Sequence, residues 1–291
     1  SILKLMIPTL IGSSVAQVNL LLDLVIATFL VSGSVSWLYY SDRLMEFPLG
    51  VFGVALSTVI LPSLSRKFAR QNPQAFSATL DWALRLALVI TLPAALGLAV
   101  LATPILTTLF QYQAFQMSDV EMSALSLAAY AAGLPAFIAV KVLAPGFYAR
   151  QDTKTPVKIA ITAMVSNMLL NLLFVGSLLA VDFQGPHMGL ALASSAAAYI
   201  NAGLLYVMLR RQGAYHPEPG WAAVIISVVL GCVAMVAVLV WQQGAVGDWA
   251  AANALERSLR LGVLIGLGVV VYAVFLLTGG LRPRHLLKGA S

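Results

Sequence analysis

The 291-residue chain is 60% hydrophobic and 10% charged, with a mean hydropathy of +0.91, whereas soluble globular domains carry about a quarter charged residues. Apolar runs of about 20 residues, enough to cross a bilayer, recur along its whole length, so a soluble domain is excluded and the expected class is all-α, a polytopic helical membrane protein. The formal net charge of +6 sits in short loops between those runs, a mark of membrane topology rather than of a nucleic-acid surface.

Hydropathy and breakers predict eight spans, at 5–31, 45–65, 79–101, 123–148, 157–180, 188–209, 221–242 and 259–278. Segment 36–46 is expected to extend the second helix outward, and ATPILTTLF (102–110), too short to span, to continue the third. The chain opens on Ser1 without Met and lacks a signal-peptide pattern, which reads as a fragment or a processed chain.

The first span carries a lone carboxylate, Asp23, within LLLDLVIATFL. Mid-membrane acids need a partner, a proton or a cation. The second begins SWLYYSDRLMEFPLG, where Asp42, Arg43 and Glu46 fall within an arc of roughly 100° on one helix face, continued by Gly50, Gly53 and Ser57. Two readings fit: a local interfacial ion-pair cluster, or an inward-facing guanidinium held by two carboxylates and suited to a phosphate. Arg85 lies in the third span, where snorkelling to the interface accounts for it. Lys141, on a fourth helix bent by Pro135 and Pro145, is expected either to snorkel or to line a cavity.

Asn167 and Asn171 stand one turn apart in SNMLLNLLF on the fifth span. With Asp23 they offer hard oxygens to a monovalent cation, Na+ or a proton at the acid being the coupling candidates. Interhelical hydrogen bonding by the two amides is the alternative. Ser194 and Ser195, early in the sixth span, are further oxygen donors. Pro8, Pro48, Pro93 and Pro135 punctuate four consecutive spans, as suits a protein that changes shape. His187, His216 and His285 fall in loops and are expected to be solvated. No nucleophile–base pair and no cysteine-based metal site emerges, Cys232 being the lone cysteine, so an enzyme is not expected.

An even span count puts both ends on one side. Of the 17 Lys and Arg, twelve (Lys4, Arg66, Lys67, Arg70, Arg150, Lys154, Lys158, Arg210, Arg211, Arg282, Arg284 and Lys288) fall on that side. Arg43, Arg257 and Arg260 fall on the other. By the positive-inside rule both termini are expected to be cytoplasmic.

Three stretches, YYSDRLMEFPLGVFGVALSTVILPSLSR, LFQYQAF and VLAPGFYARQDTKTPVKIA, resemble the MurJ (MviN) family of lipid II flippases, within the superfamily of multidrug, oligosaccharidyl-lipid and polysaccharide exporters. The resemblance covers essentially the whole chain. It implies the family's seventh to fourteenth spans, with 1–211 as the C-terminal six-helix lobe. Residues 212–291 then supply two additional helices, forming a groove for the lipid tail, and a cytoplasmic tail. The family's N-terminal lobe is not within this sequence and is an implied partner. The implied location is the bacterial inner membrane.

By the resemblance, Asp42, Arg43 and Glu46 line a central cavity, with the Arg engaging the diphosphate of lipid II. Lys141 is a further candidate for that cavity. Asp23 matches the acid of a sodium site and Asn167 and Asn171 its facing pair, with Ser194, from the residues alone, the further candidate ligand. Asn171 stands where the sodium-binding pattern has a second acid, so the site carries one negative charge fewer. No organic cofactor is implied. The rival functions are export of another lipid-linked oligosaccharide or of a drug, and a non-transporting membrane scaffold for cell-wall synthesis.

Overall fold

The structure, a computed structural model, describes residues 17–244 and 246–279, and every regular element among them is helical. Lys4, Pro8, Arg282, Arg284, His285 and Lys288 lie outside the described residues. The helices are α1 (Gln17–Thr28), α2 (Ser34–Pro48), a π-helical turn (Leu49–Val54), α3 (Ala55–Ala69), α4 (Pro73–Val100) and α5 (Ala102–Phe110). They continue as α6 (Met117–Tyr148), α7 (Lys154–Ala180), α8 (Met188–Arg211), α9 (Trp221–Gln242), α10 (Val246–Ala251) and α11 (Ala254–Thr278). Seven are long and apolar enough to cross a membrane, counting Ser34–Ala69 as one. The first predicted span is described only from Gln17, as α1.

Local chemistry sets these boundaries. Asn72 caps α4 by accepting from the Ala75 N–H at 2.9 Å, with Pro73 at the first helical position. Gln116 and Asp119 form a reciprocal capping box at the start of α6. Segment 36–46 does lengthen the second helix, as α2. Residues 102–110, by contrast, do not continue the third helix: the chain breaks at Leu101. Pro104 has no N–H for the Val100 carbonyl, and its ring crowds that oxygen. Pro48 likewise denies a hydrogen bond to the Leu44 carbonyl, and the following turn widens into the π segment.

Helix α6 is the axis of the bundle: 56% of its apolar window is buried, against 28% in α4 and α7. Its tightest neighbour is α8. A Cβ at Gly133 would stand 2.8 Å from Ser195 Cα, so the absence of a side chain permits the approach. Ser195 Oγ donates to the Ala129 carbonyl at 2.7 Å across the same seam. One core joins α1–α4 with α6–α8, and a second packs α9, α10 and α11 against α4 and α5. Helix α4 is thus the wall shared by both.

The turns gather at two ends. At one, Arg150 reaches Gln212 at 2.7 Å and Ser77 meets His216. At the other, Trp37 donates to Asp119 at 2.8 Å and Arg257 donates to the Thr107 and Ala250 carbonyls. Arg66, Lys67, Arg70, Arg150, Lys154, Arg210 and Arg211 collect near the first end.

Candidate functional site

A cavity of about 740 Å³ opens between α1, α2, α3, α6, α7 and α8. Its polar lining comes from Asn19 and Asp23 on α1, Asp42 and Glu46 on α2, Ser57 on α3, Tyr130, Lys141 and Tyr148 on α6, Asn167 on α7, and Ser194 and Asn201 on α8. Spacing explains the α2 contribution: residues 42 and 46 are one turn apart and share a face. Gly53, further along, brings α6 close. A Cβ there would lie 3.5 Å from Lys141 Cγ, so the apolar stem of that lysine rests against the glycine while its ammonium is left to the cavity.

Arg43 departs from the sequence expectation. It is not part of the cavity wall, because it is turned about 100° from Asp42 around the helix. Its guanidinium pairs with Glu46 at 2.5 Å with the two side chains 53% and 52% exposed, and lies 5.1 Å from the Tyr39 ring centroid. Glu46 therefore connects the cavity to the arginine beside it. On the rest of this helix Val51 and Val59 are exposed, whereas Leu44 packs inward.

The deeper polar residues are brought together. Asp23 is 7% exposed and Asn167 and Asn171 1% each. Asn171 Nδ2 donates to Asp23 Oδ1 at 2.6 Å and to Asn167 Oδ1 at 3.0 Å. Ser194 Oγ donates to Asp23 Oδ2 at 3.0 Å and accepts from Asn167 Nδ2 at 3.2 Å. The four side chains form a closed ring. Two buried carboxamide oxygens, Asn19 Oδ1 and Asn171 Oδ1, have no hydrogen-bond partner among the described residues. One carboxylate with hydroxyl and amide oxygens is a hard donor set carrying a single formal charge, so it fits a monovalent cation better than a divalent one.

Several expectations are corrected. Ser195 points to α6 and bonds Ala129 rather than joining Asp23. Arg85 does not snorkel: its Nε donates to buried Asp81 at 2.7 Å, its Nη2 to the Glu218 and Pro219 carbonyls at 2.9 Å, and it stacks over Trp221. His187 is fully buried rather than solvated, with Nε2 3.0 Å from the Met122 carbonyl and its ring 4.9 Å from that of Trp37. His216 is exposed, as expected.

Asn19, Tyr130 and Asn201 were not legible as cavity residues. Asn19 had a signal, standing one turn before Asp23 at the same spacing that separates Asn167 from Asn171. Tyr130, in an alanine-rich stretch, had none.

Comparison with known proteins places this arrangement. The family model for the lipid II flippase MurJ matches residues 1–273. A probable lipid II flippase MurJ of Vibrio cholerae is 48% identical over 282 residues, covering 97% of this chain and 52% of the relative. The solved structure of lipid II flippase MurJ in an inward closed conformation superposes with a TM-score of 0.76 at 28% identity, over 94% of this chain and 53% of that one. A multidrug-resistance MATE transporter of the MOP superfamily, in its outward-facing conformation, shares the fold with a TM-score of 0.61 at 16% identity, over 99% of this chain and 66% of that one. The chain spans about half the length of the curated relatives it matches. It belongs to the MurJ lipid II flippase family.

Proposed function

We propose that this chain is the C-terminal part of a flippase that moves lipid II, a polyprenyl-diphosphate-linked disaccharide pentapeptide, from the cytoplasmic to the periplasmic leaflet. The observation that carries the reading, beside family membership, is the cavity of about 740 Å³ with Lys141 on one wall and Glu46 on another, Glu46 being paired with Arg43 at the cavity's edge. A diphosphate is costly to desolvate unless cations meet it. Arg43, steered by Glu46 and Tyr39 yet half-exposed, keeps donor edges free for a phosphate, and Lys141 adds a point charge from α6.

In this reading residues 1–211 are one lobe and 212–291 the additional helix pair with its tail. The headgroup enters the polar cavity between this lobe and the N-terminal lobe, while the polyprenyl tail remains in membrane lipid along α9 and α11. Rocking of the lobes exposes the headgroup outward, a transport cycle without enzymatic chemistry. The protein sits in the bacterial inner membrane with both termini of this chain cytoplasmic, supported by the basic residues gathered at the first end.

Asp23 with Asn167, Asn171 and Ser194 would hold Na+, or Asp23 a proton. Neutralising Asp23 in this way supplies a means to bias the cavity between its two accessible states. The unpartnered oxygens of Asn19 and Asn171 support the ion over the proton.

The test is leaflet accessibility of lipid II in cells depleted of the wild-type protein. Depletion accumulates lipid II on the inner leaflet and causes lysis. The intact protein carrying Arg43→Ala fails to restore transport although its fold is intact, because the side chain makes only peripheral contacts. Normal flipping by that variant overturns the role given to Arg43. One observation favours a second reading: Asp23, Asp42 and Glu46 outnumber Lys141 on the cavity wall, as a cationic drug would require. Export of a cationic dye, with lipid II distribution unchanged on depletion, is the result that supports it.

A further inference from the structure

A second cavity, of about 750 Å³, lies on the opposite face of α6 from the first, bounded by α4, α6, α8, the start of α9 and the 213–220 connection. Its floor is made of small side chains, Ala136 and Ala139 on α6 and Ala202 and Gly203 on α8. A Cβ built at Gly203 meets nothing within 4 Å, so the space is real and continuous above the glycine. Nothing polar holds water there. Along the floor the groove offers the unpartnered Thr91 hydroxyl and the exposed Tyr199 hydroxyl, already donated to the Ala132 carbonyl at 2.9 Å, where a held water needs roughly two to four partners. An apolar groove at bilayer depth is filled by hydrocarbon.

An acid stands at the mouth of the groove, and helical spacing puts a cation one step beyond its lining on α8. Glu218 is that acid, and its carboxylate has no hydrogen-bond or ion-pair partner among the described residues. On α8 the groove-lining positions Tyr199, Gly203 and Tyr206 run in steps of four and three. The next step of four on that face is Arg210, an exposed cation. Trp221 and Tyr206 flank the opening, as aromatic rings do at the headgroup level.

We propose that this groove is a binding site for a resident zwitterionic glycerophospholipid with a primary ammonium headgroup, one acyl chain lying over Gly203, its phosphate at Arg210 and its ammonium at Glu218. The pairing selects against the two nearest alternatives. An anionic phospholipid leaves Glu218 unanswered and repelled, and a polyprenyl diphosphate sets two negative groups beside that carboxylate. The site is separate from the polar cavity and does not depend on the transport reading.

The test uses the intact protein in vesicles of phosphatidylethanolamine and phosphatidylglycerol, with photoactivatable acyl-chain probes of each lipid and peptide mapping of the adducts. The phosphatidylethanolamine probe is expected to label α4, α8 and α9 at the groove. Gly203→Phe, which fills the floor, is expected to lower that labelling about tenfold. Glu218→Gln, on an exposed side chain, is expected to erase the preference for phosphatidylethanolamine over phosphatidylglycerol, and decides the matter should Gly203→Phe fail to fold. Equal labelling of wild type and a folded Gly203→Phe overturns the site. Equal labelling by both lipids in the wild type, or preferential labelling by a polyprenyl diphosphate probe, overturns the assigned occupant.

Discussion

Trp221 Nε1 donates to Asp81 Oδ1 at 2.7 Å, fastening the first residue of α9 to the side of α4. The same carboxylate accepts from the Tyr215 hydroxyl at 2.7 Å, the Glu218 N–H at 3.2 Å and Arg85 Nε at 2.7 Å. Asp81 is 1% exposed, so four donors depend on one buried acceptor. Removing it leaves Arg85 without its counter-charge, and breaking such a buried pair costs about 3–5 kcal/mol. Asp81→Ala is therefore expected to lower the thermal midpoint of the purified protein strongly. Tyr215→Phe, which removes one neutral donor, is expected to cost about 1 kcal/mol. An Asp81→Ala midpoint equal to wild type rejects the clasp.

The α6–α8 seam gives a steric prediction. At Gly133 an added Cβ meets Ser195 Oγ, Ser195 Cα and the Phe137 ring, the Cα at 2.8 Å. Two of the three are a backbone carbon and a packed ring, neither of which yields cheaply. Gly133→Ala is expected to destabilise by about 1–3 kcal/mol, the usual range for overpacking. Ser195→Gly in the same chain should recover part of it, less the hydrogen bond to Ala129. Full stability of the single variant, measured by chemical denaturation in detergent, counts against close packing at this point.

These two sites show what the sequence could and could not convey. Span positions were readable because hydropathy is a one-dimensional property, and the caps at Asn72 and Gln116 sit in local patterns. The break at Leu101 was missed because Pro104 acts on a carbonyl four residues earlier, inside an unbroken apolar run. Asp42 and Glu46 reached the cavity because their spacing fixes a common face. Arg43 did not, because an arc of 100° is wide enough to hold both a wall and its edge. Arg85 was misread for a different reason. Asp81, one turn earlier, was a local signal for the ion pair, but the carbonyls of Glu218 and Pro219 that complete the site lie more than 130 residues away, a separation that no local pattern reports. His187 was misread as solvated because loop membership says nothing of what packs over the loop.

The Asp23 ring predicts a cation response that one substitution should strengthen. Asn171 Nδ2 now spends two hydrogen bonds on Asp23 and Asn167, and its oxygen is unpartnered. Asn171→Asp replaces those donors with a second carboxylate facing the first. Two buried like charges are unfavourable until a cation joins them. The variant is therefore expected to be less stable than wild type in choline buffer and to gain more stability on adding Na+. For each tenfold rise in affinity the gain approaches about 1.4 kcal/mol once the ion is in excess. Asp23→Asn should abolish the Na+ response. Thermal unfolding with Na+ or choline as the sole cation reads all three, and an identical Na+ response in wild type and Asp23→Asn removes the site from consideration.

His187 supplies a pH dependence at the other end of the bundle, in the 181–187 turn outside the spans. The Met122 carbonyl 3.0 Å from Nε2 accepts only, so Nε2 carries the proton. Nδ1 is buried without a hydrogen-bond partner among the described residues. Burial pushes the imidazole pKa down, the Met122 hydrogen bond opposing it only in part. The native state therefore resists a second proton, whereas the unfolded chain takes one up near the ordinary value of about 6.5. Where the unfolded state binds more protons, stability rises with pH. The contribution of His187 is complete above about pH 6.5 and is lost as the pH falls below it toward the depressed native value. The slope is at most about 1.4 kcal/mol per pH unit. The thermal midpoint is accordingly expected to fall between about pH 7 and pH 5, and His187→Asn to flatten that fall. A variant that keeps the wild-type slope assigns the pH dependence to other groups, and with it the claim that the imidazole beneath Trp37 is held neutral fails.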